Sequence, residues 1–395
     1  MHWTLFPDNL GIVECERRRA VWRADSLPAQ PAALCSEIIE MRKKDTVRLG
    51  LSGLGSFSVV IANAVKRSKK VELVTCFDVV PEKRKATGER YGCAQEKSFE
   101  DMVRRDDLDG VLLVTPNAFH REQTELAARH GKHVYVEKPI ANTLADGRRM
   151  IEACEKAGVV LLIGHVHRRH AGNRKAKALI ESGVIGKPVM VEANLSSGQG
   201  WDLTPDEFRW RGDDLGCPGG ALMTMGIHQA DTFNYIFGPV KTVFSLFNKL
   251  YIPAPVEDVT TTIFKFESGI LGYLGCNFAS PRTNWMYIYG TEANLLRTVA
   301  RVDRRFDVER KQSVDQSTRL ELFEKGKNQP QEIPLPIGDP ILEQIDEFAD
   351  CILTGKKAGN GRTFIPEGAG LDSRRHRVRK NRETCGCGSL IVGRM

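Results

Sequence analysis

Val47-Arg48-Leu49-Gly50-Leu51-Ser52-Gly53-Leu54-Gly55-Ser56-Phe57-Ser58 decides the fold of this 395-residue chain. Val47 to Leu51 is a short strand signal, Ser52 to Ser58 is a tight glycine-bearing turn, and Val59 to Val65 resumes with the apolar spacing of a helix. Strand, turn and helix in that order open a dinucleotide-binding unit. Gly53 and Gly55 permit the sharp turn and the close approach of a pyrophosphate, whose charge then meets the helix N-terminus. Ser58 occupies the third position of the G-x-G-x-x-G pattern, so helix and strand are expected to pack slightly farther apart than with glycine.

Working outward, Val71 to Phe77 reads as the second strand and ends at Asp78, about 25 residues after the glycines, where a carboxylate can accept hydrogen bonds from adenosine ribose hydroxyls. That carboxylate repels a 2′-phosphate and favours NAD, while Lys83 and Arg84 soften the discrimination and leave NADP open. An ordinary turn with a surface Asp, or a methyltransferase, would share this layout. Pro81 to Tyr91 reads as a charged helix begun by proline. Gly110 to Val114 is a third strand running into Thr115-Pro116-Asn117. His120 to His130 is then helical, His133 to Val136 a strand, Leu144 to Ala157 an amphipathic helix and Val159 to Ile163 a strand. Such alternation predicts right-handed crossovers and a parallel, doubly wound sheet.

From Lys187 the rhythm changes. Pro188 to Leu195, Val240 to Phe247, Thr260 to Phe266, Ile270 to Cys276 and Trp285 to Tyr289 are strand-like, several alternating residue by residue. The pattern predicts a large, open, mainly antiparallel sheet with helices on one face and the other face available to a second subunit. Pro340 to Leu353 is a last amphipathic helix. Gly290-Thr291-Glu292 reads as a hairpin turn. The fold class expected is therefore α/β: an N-terminal Rossmann doubly wound parallel sheet followed by a C-terminal α+β domain. Its parts are a poorly structured extension at 1–45, a nucleotide-binding domain at 46–165, a substrate and oligomerisation domain at 166–357, and a basic, disordered tail at 358–395.

Two stretches carry chemistry. Glu137-Lys138-Pro139 closes an apolar run, and a lysine before proline is pushed toward an extended backbone from which its ammonium can project into a crevice. Gly219-Gly220 opens a helical stretch in which Thr224, His228 and Asp231 share one face at spacings of four and three. A histidine there can exchange a proton with a substrate hydroxyl, with Lys138 stabilising a developing alkoxide. A core histidine capped by Asp231 has the same sequence signature.

Gly53-Leu54-Gly55, Thr115-Pro116-Asn117 with His120, Glu137-Lys138-Pro139, Arg169 after Gly164-His165, and Gly219-Gly220 through His228 and Asp231 together resemble the Gfo/Idh/MocA oxidoreductases, named for glucose-fructose oxidoreductase and inositol dehydrogenase. The resemblance runs from about Val47 to about Lys357. It implies NAD(P)-dependent hydride transfer to or from a sugar, cyclitol or related polyol or ketone, in a homodimer or homotetramer assembled through the C-terminal sheet. It also implies that Ser56 and Phe57, then Thr115, Pro116, Asn117 and His120, then Glu137 and Lys138, form the cofactor wall. Lys138 would sit between nicotinamide and substrate, with His228 as the acid/base group and Thr224 beside it. The family often has aspartate where this chain has Thr224, which cannot tune the histidine electrostatically. Arg169, Trp210 and Arg211 are candidate substrate contacts, the indole for stacking and the guanidinium for hydroxyls or a carboxylate. A dinucleotide-binding sensor or scaffold without turnover, and an NAD-using glycoside hydrolase of the same fold, are the alternatives.

Composition narrows the surroundings. No apolar run approaches the roughly 20 residues that span a bilayer, and Met1 to Leu34 lacks the continuous apolar core of a secretion signal. Ten cysteines without paired spacing suit reduced thiols in a cytoplasm. His165, His167 and His170 lack a neighbouring carboxylate or thiolate, so no metal is expected there, nor at Cys385-Gly386-Cys387. The net charge of +7 is concentrated in the tail from Arg374 to Arg382 and implies no specific nucleic-acid partner. That tail reads as an altered reading frame, and Met41 as the natural start.

Overall fold

The computed structural model describes residues 46–198, 216–300 and 317–355, together with the backbone of 391–394. Its first half is built from β1 (Val47–Ser52), α1 (Ser56–Arg67), β2 (Val71–Phe77), α2 (Pro81–Tyr91), β3 (Ala94–Gln95), α3 (Phe99–Val103), β4 (Gly110–Leu113), α4 (His120–Arg129), β5 (His133–Val136), α5 (Leu144–Ala157) and β6 (Leu161–Ile163). The strands lie in the order β3-β2-β1-β4-β5-β6, and every pairing is parallel. Chain order reverses between β1 and β4, so a crevice opens beyond the C-terminal ends of those strands, where ligands of such sheets bind. Leu49, Leu51, Leu112 and Leu162 are fully buried, as expected of strands covered on both faces.

The second half contains α6 (Ala171–Glu181), β7 (Pro188–Ser196), a π-helical turn at Leu222–Gly226 leading into α7 (Ile227–Phe237), β8 (Val240–Asn248), β9 (Val259–Phe266), β10 (Leu271–Asn277), β11 (Thr283–Gly290), β12 (Ala293–Val299), β13 (Thr318–Glu324) and β14 (Gln331–Glu332). These strands form a sheet in the order β14-β13-β12-β11-β7-β10-β9-β8, with β15 (Ile391–Arg394) paired antiparallel to β8. One pairing, β10 with β7, is parallel. Alternation sorts the faces. Phe264, Phe266, Met286, Ile288, Leu295 and Leu320 point into a core shared with Ala176, Phe233 and Ile236 of the covering helices. Residues 1–45, the 199–215 segment holding Trp210 and Arg211, and most of the 358–395 tail lie outside the described residues.

The helix α8 (Pro340–Thr354) begins with a proline at its first turn and an Asp339 side chain capping the Leu342 amide. Although it follows the second sheet in sequence, its apolar face, Ile345, Phe348 and Ala349, is buried with Leu51, Ile61, Val65 and Tyr135 of the first half. Gln344 donates to the Ile163 carbonyl at 3.0 Å, and Lys70 pairs with Asp350 at 2.7 Å. Phe348→Ala is therefore expected to destabilise the nucleotide-binding half by about 3–5 kcal/mol, read as a lowered midpoint in chemical denaturation; a shift within error would show that α8 is not part of that core.

Candidate active site

The glycine turn is fixed from three sides. Gly53 has φ +87°, and a Cβ there would lie 2.6 Å from the Thr115 nitrogen, so no other residue fits. The Leu54 amide donates to Asp78 Oδ2 at 2.8 Å, the Val80 amide donates to Oδ1 at 3.0 Å, and Lys83 Nζ stands 3.9 Å from Oδ1. Asp78 thus joins the end of β2 to the turn while keeping lone pairs for further donors. At Gly55 an added Cβ would meet nothing within 4 Å, and no side chain caps the start of α1. An open surface over an uncapped helix N-terminus accommodates an anion. Ser56 is exposed on that surface and Phe57 packs back against the core. Ser58 is buried and its hydroxyl donates to the Gly55 carbonyl at 2.6 Å, so the side chain replacing the third glycine satisfies itself within the turn.

Opposite, Thr115-Pro116-Asn117 leaves β4. Thr115 Oγ1 donates to Gln123, and the amide of buried Asn117 lies 3.8 Å from the Cys217 sulfur. His120 is wholly buried, with Nε2 3.0 Å from the Thr115 carbonyl and Nδ1 3.0 Å from that of Pro139. It ties the ends of β4 and β5 together from behind the crevice, and burial holds its pKa below the usual histidine range. Glu137 lies inward too: Tyr135 Oη donates to its Oε1 at 2.7 Å, and burial raises its carboxyl pKa. A Cβ at Gly164 would fall 2.7 Å from that same oxygen, so glycine leaves the carboxyl its room.

Lys138, joined to Pro139 by a cis peptide bond, turns the other way. Its Nζ donates to the Thr224 carbonyl at 3.0 Å, which brings the end of β5 against the turn that leads to His228. That turn is entered through Gly219 (φ +82°) and Gly220 (φ +44°), and a Cβ on Gly220 would collide with the Glu257 carbonyl at 1.9 Å. The expectation of a plain α-helix over this stretch is corrected here: in the π turn the Ile227 amide reaches back to the Leu222 carbonyl, five residues away. The Thr224 hydroxyl donates back to the Gly220 carbonyl at 2.9 Å.

Around His228 lie the histidines of the 164–170 segment. The His167 ring stacks on His228 with centroids 4.0 Å apart and planes 13° apart, and His170 meets His167 edge-on at 4.8 Å. His228 is partly exposed, but its Nδ1 is buried without a hydrogen-bond partner. Burial, and then the surrounding His167, Lys138, His165 and His170, push its pKa well below the usual range, so the imidazole is neutral at physiological pH. Asp231 does not cap it. Arg168 Nε donates to both Asp231 oxygens at 2.9 and 2.7 Å, with His165 Nδ1 3.7 Å away. Arg169 is buried and paired with Glu347 of α8. Among the described residues, no three His, Cys, Asp or Glu side chains are arranged to hold a metal.

Residues 47–165 match the family described as oxidoreductases with an NAD-binding Rossmann fold, and 173–296 match the GFO/IDH/MocA C-terminal domain. The chain belongs to the GFO/IDH/MocA oxidoreductase family. It is 31% identical over 193 residues to a 2,7-anhydro-N-acetylneuraminate hydratase of Mediterraneibacter gnavus, covering 49% of this chain and 50% of that one. To a 1,5-anhydro-D-fructose reductase of Ensifer adhaerens it is 30% identical over 253 residues, 63% of this chain and 75% of the relative. The chain thus spans about half the length of the first of these curated relatives. An oxidoreductase structure from Desulfitobacterium hafniense superposes with a TM-score of 0.74 at 33% identity, covering 80% of this chain and 90% of that one. A dinucleotide fits the residues present, because the space a Cβ would fill at Gly55 lies open over an uncapped helix and Asp78 stands beside it.

The structure brings Lys138, Thr224 and His228 together, and separately gathers Gly53, Gly55, Asp78 and Thr115 around the crevice. His165, His167 and His170, considered in the sequence as metal ligands alone, instead surround His228 from 58 or more positions away, a proximity no local spacing encodes. Burial lowers the His165 pKa to about 4 from 6.5. The unfolded chain takes up this proton more readily, so stability is complete above pH 6.5 and falls as pH drops toward about 4. The loss from His165 should be on the order of 3 kcal/mol, and His165→Leu should flatten this part of a Tm-against-pH curve; an unchanged slope would refute the assignment.

Proposed function

We propose that this protein is an NAD(P)-dependent oxidoreductase acting on a secondary alcohol or ketone of a sugar, cyclitol or related polyol. The observation that carries the reading is the 3.0 Å hydrogen bond from Lys138 Nζ to the Thr224 carbonyl, which sets an ammonium from the nucleotide-binding half beside the approach to His228. A cofactor held by Gly53, Gly55, Asp78 and the Thr115 loop supplies the hydride acceptor or donor. Lys138 orients the substrate oxygen and stabilises its negative charge as the proton leaves. His228, neutral near pH 7, is in the state needed to take that proton during oxidation. Thr224 contributes its carbonyl, and Trp210 and Arg211 are retained as substrate-side candidates, whereas Arg169, expected beside them, is buried against Glu347 and holds the 164–170 segment to α8. NAD is the preferred cofactor because Asp78 faces the turn.

An NAD(P)H-coupled screen over sugars and cyclitols tests this. Lys138→Ala and His228→Ala should each lower kcat/KM on the order of 100-fold or more, with cofactor affinity retained in His228→Ala; undiminished turnover would remove the residue from the mechanism. A second reading, transient oxidation with the cofactor restored inside each turnover, is favoured by the relative named a hydratase. Conversion of substrate without net NADH release would select it.

The outer face of the second sheet supports self-association. Leu246, Ile263 and Leu271 are 42, 53 and 54% exposed there, with Ile263 registered between Phe244 and Tyr273. A contiguous apolar face of this kind suits a second copy of the chain. Ile263→Glu with Leu271→Glu should convert a dimer or tetramer to smaller species in sedimentation velocity; a wild-type monomer would dismiss this interface. A cytoplasmic setting accords with Cys76, Cys93, Cys154, Cys276 and Cys351 being buried thiols, and no helix among the described residues is long and apolar enough to cross a membrane.

A further inference from the structure

A histidine that shuttles protons is ordinarily held in place through its second ring nitrogen, by a carboxylate or carbonyl that fixes the plane of the ring. Among the described residues, His228 has no such tether. Its Nδ1 is enclosed without a hydrogen-bond partner. Asp231, three residues on, is engaged by Arg168 through both oxygens, and the Thr224 hydroxyl is turned back to Gly220. The close, nearly parallel contact of His228 is with His167, at 4.0 Å and 13°.

The His167 ring, whose own Nδ1 is likewise buried without a hydrogen-bond partner among the described residues, is held through its backbone and its neighbours. The 3₁₀ turn Val166–Arg169 presents it, Asn173 Nδ2 donates to its carbonyl at 2.9 Å, and the His170 ring abuts it edge-on. Arg168 and Arg169, the two residues of that turn that follow His167, are locked to Asp231 and Glu347, so the backbone carrying His167 is anchored to both α7 and α8. A flat ring held this way can define the plane of a second ring by stacking, with no hydrogen bond.

We propose that His167 is the positioning residue for His228, setting the plane of the catalytic imidazole by face-to-face stacking in place of a hydrogen bond to Nδ1. The inference rests on the reading of His228 as the acid/base group. Charge contributes as well: His165, His170 and Lys138 face His228 alongside His167, Arg297 acts on His167 from the sheet, and among the described residues the nearby carboxylate of Asp231 is neutralised by Arg168. Burial and these neighbours all disfavour a cationic His228, so the stacked pair stays neutral and stacking is unopposed by mutual repulsion.

The test compares His167→Phe, which keeps a flat ring, with His167→Leu, which keeps similar bulk without one. Steady-state kinetics on the polyol found in the screen should show His167→Phe within about threefold of wild type, and His167→Leu reduced in kcat by roughly 10- to 100-fold with KM nearly unchanged, as expected when a reacting group is misplaced. Ring-¹⁵N NMR of the histidine-labelled full chain, with the His228 signals assigned by their loss in His228→Ala, needs no turnover. Wild type and His167→Phe should give one sharp His228 ring pair, and His167→Leu a shifted or exchange-broadened pair. Wild-type kcat in His167→Leu, equal damage in both variants, or unchanged His228 resonances in His167→Leu would each overturn the proposal. If the wild-type protein turns over no polyol, the oxidoreductase reading falls while the NMR comparison still decides the positioning role.

Discussion

The hydrogen bond from the Lys138 ammonium to the Thr224 carbonyl is the contact on which the architecture of the site depends. It joins the C-terminal end of a parallel strand to a π turn at the head of a helix in the other half of the molecule. A charge-assisted bond to a carbonyl is stronger than a neutral one, and it directs the ammonium toward the helix that carries His228 without neutralising it. A carboxylate partner would have cancelled the positive charge that a developing alkoxide needs.

The same economy of negative charge runs through the surroundings. Asp231 and Glu347 are bound to Arg168 and Arg169, while Glu137 is turned inward to Tyr135 with a raised carboxyl pKa. Among the described residues, what remains beside His228 is the Lys138 ammonium and the imidazoles of His165 and His167, whose pKa values, like that of His228, are depressed. A neutral base under net positive potential is poorly suited to hold a proton but well suited to pass one on. The π turn and the two positive-φ glycines, at φ +82° and +44°, are the irregularities that accompany this placement.

The first half of the fold was legible in the sequence because its signals are local. The span Pro81–Tyr91 matches the reading residue for residue, and Gly53, Asp78 and Lys138 lie where motif spacing put them. The second half was less so. In β12 the buried face carries Arg297 between Leu295 and Val299, while Leu296 lies on the opposite face, which blurs the alternation that marks a strand. α6 fully buries only alanine, glycine and asparagine, with its larger apolar side chains, Leu179 and Ile180, half-buried near its end. The π turn has no residue-type signature, and the close passage of Gly220 by the Glu257 carbonyl is a tertiary contact that the sequence does not display. The histidine cluster is likewise a product of packing between 164–170 and α7, which spacing along the chain cannot express.

The placement of α8 bears on how the chain reaches this structure. Ile345, Phe348 and Ala349 complete a hydrophobic cluster whose other members lie mostly between Val47 and Leu162, so the parallel sheet keeps that apolar face uncovered until the second sheet and α8 have been synthesised. Nascent chains with such a delayed partner are exposed to aggregation and to chaperone capture for most of their synthesis. Cutting between the halves would consequently yield a nucleotide-binding fragment lacking its own lid of apolar side chains, and inserting a new module after Ile163 would lengthen the loop that must close before that face is covered.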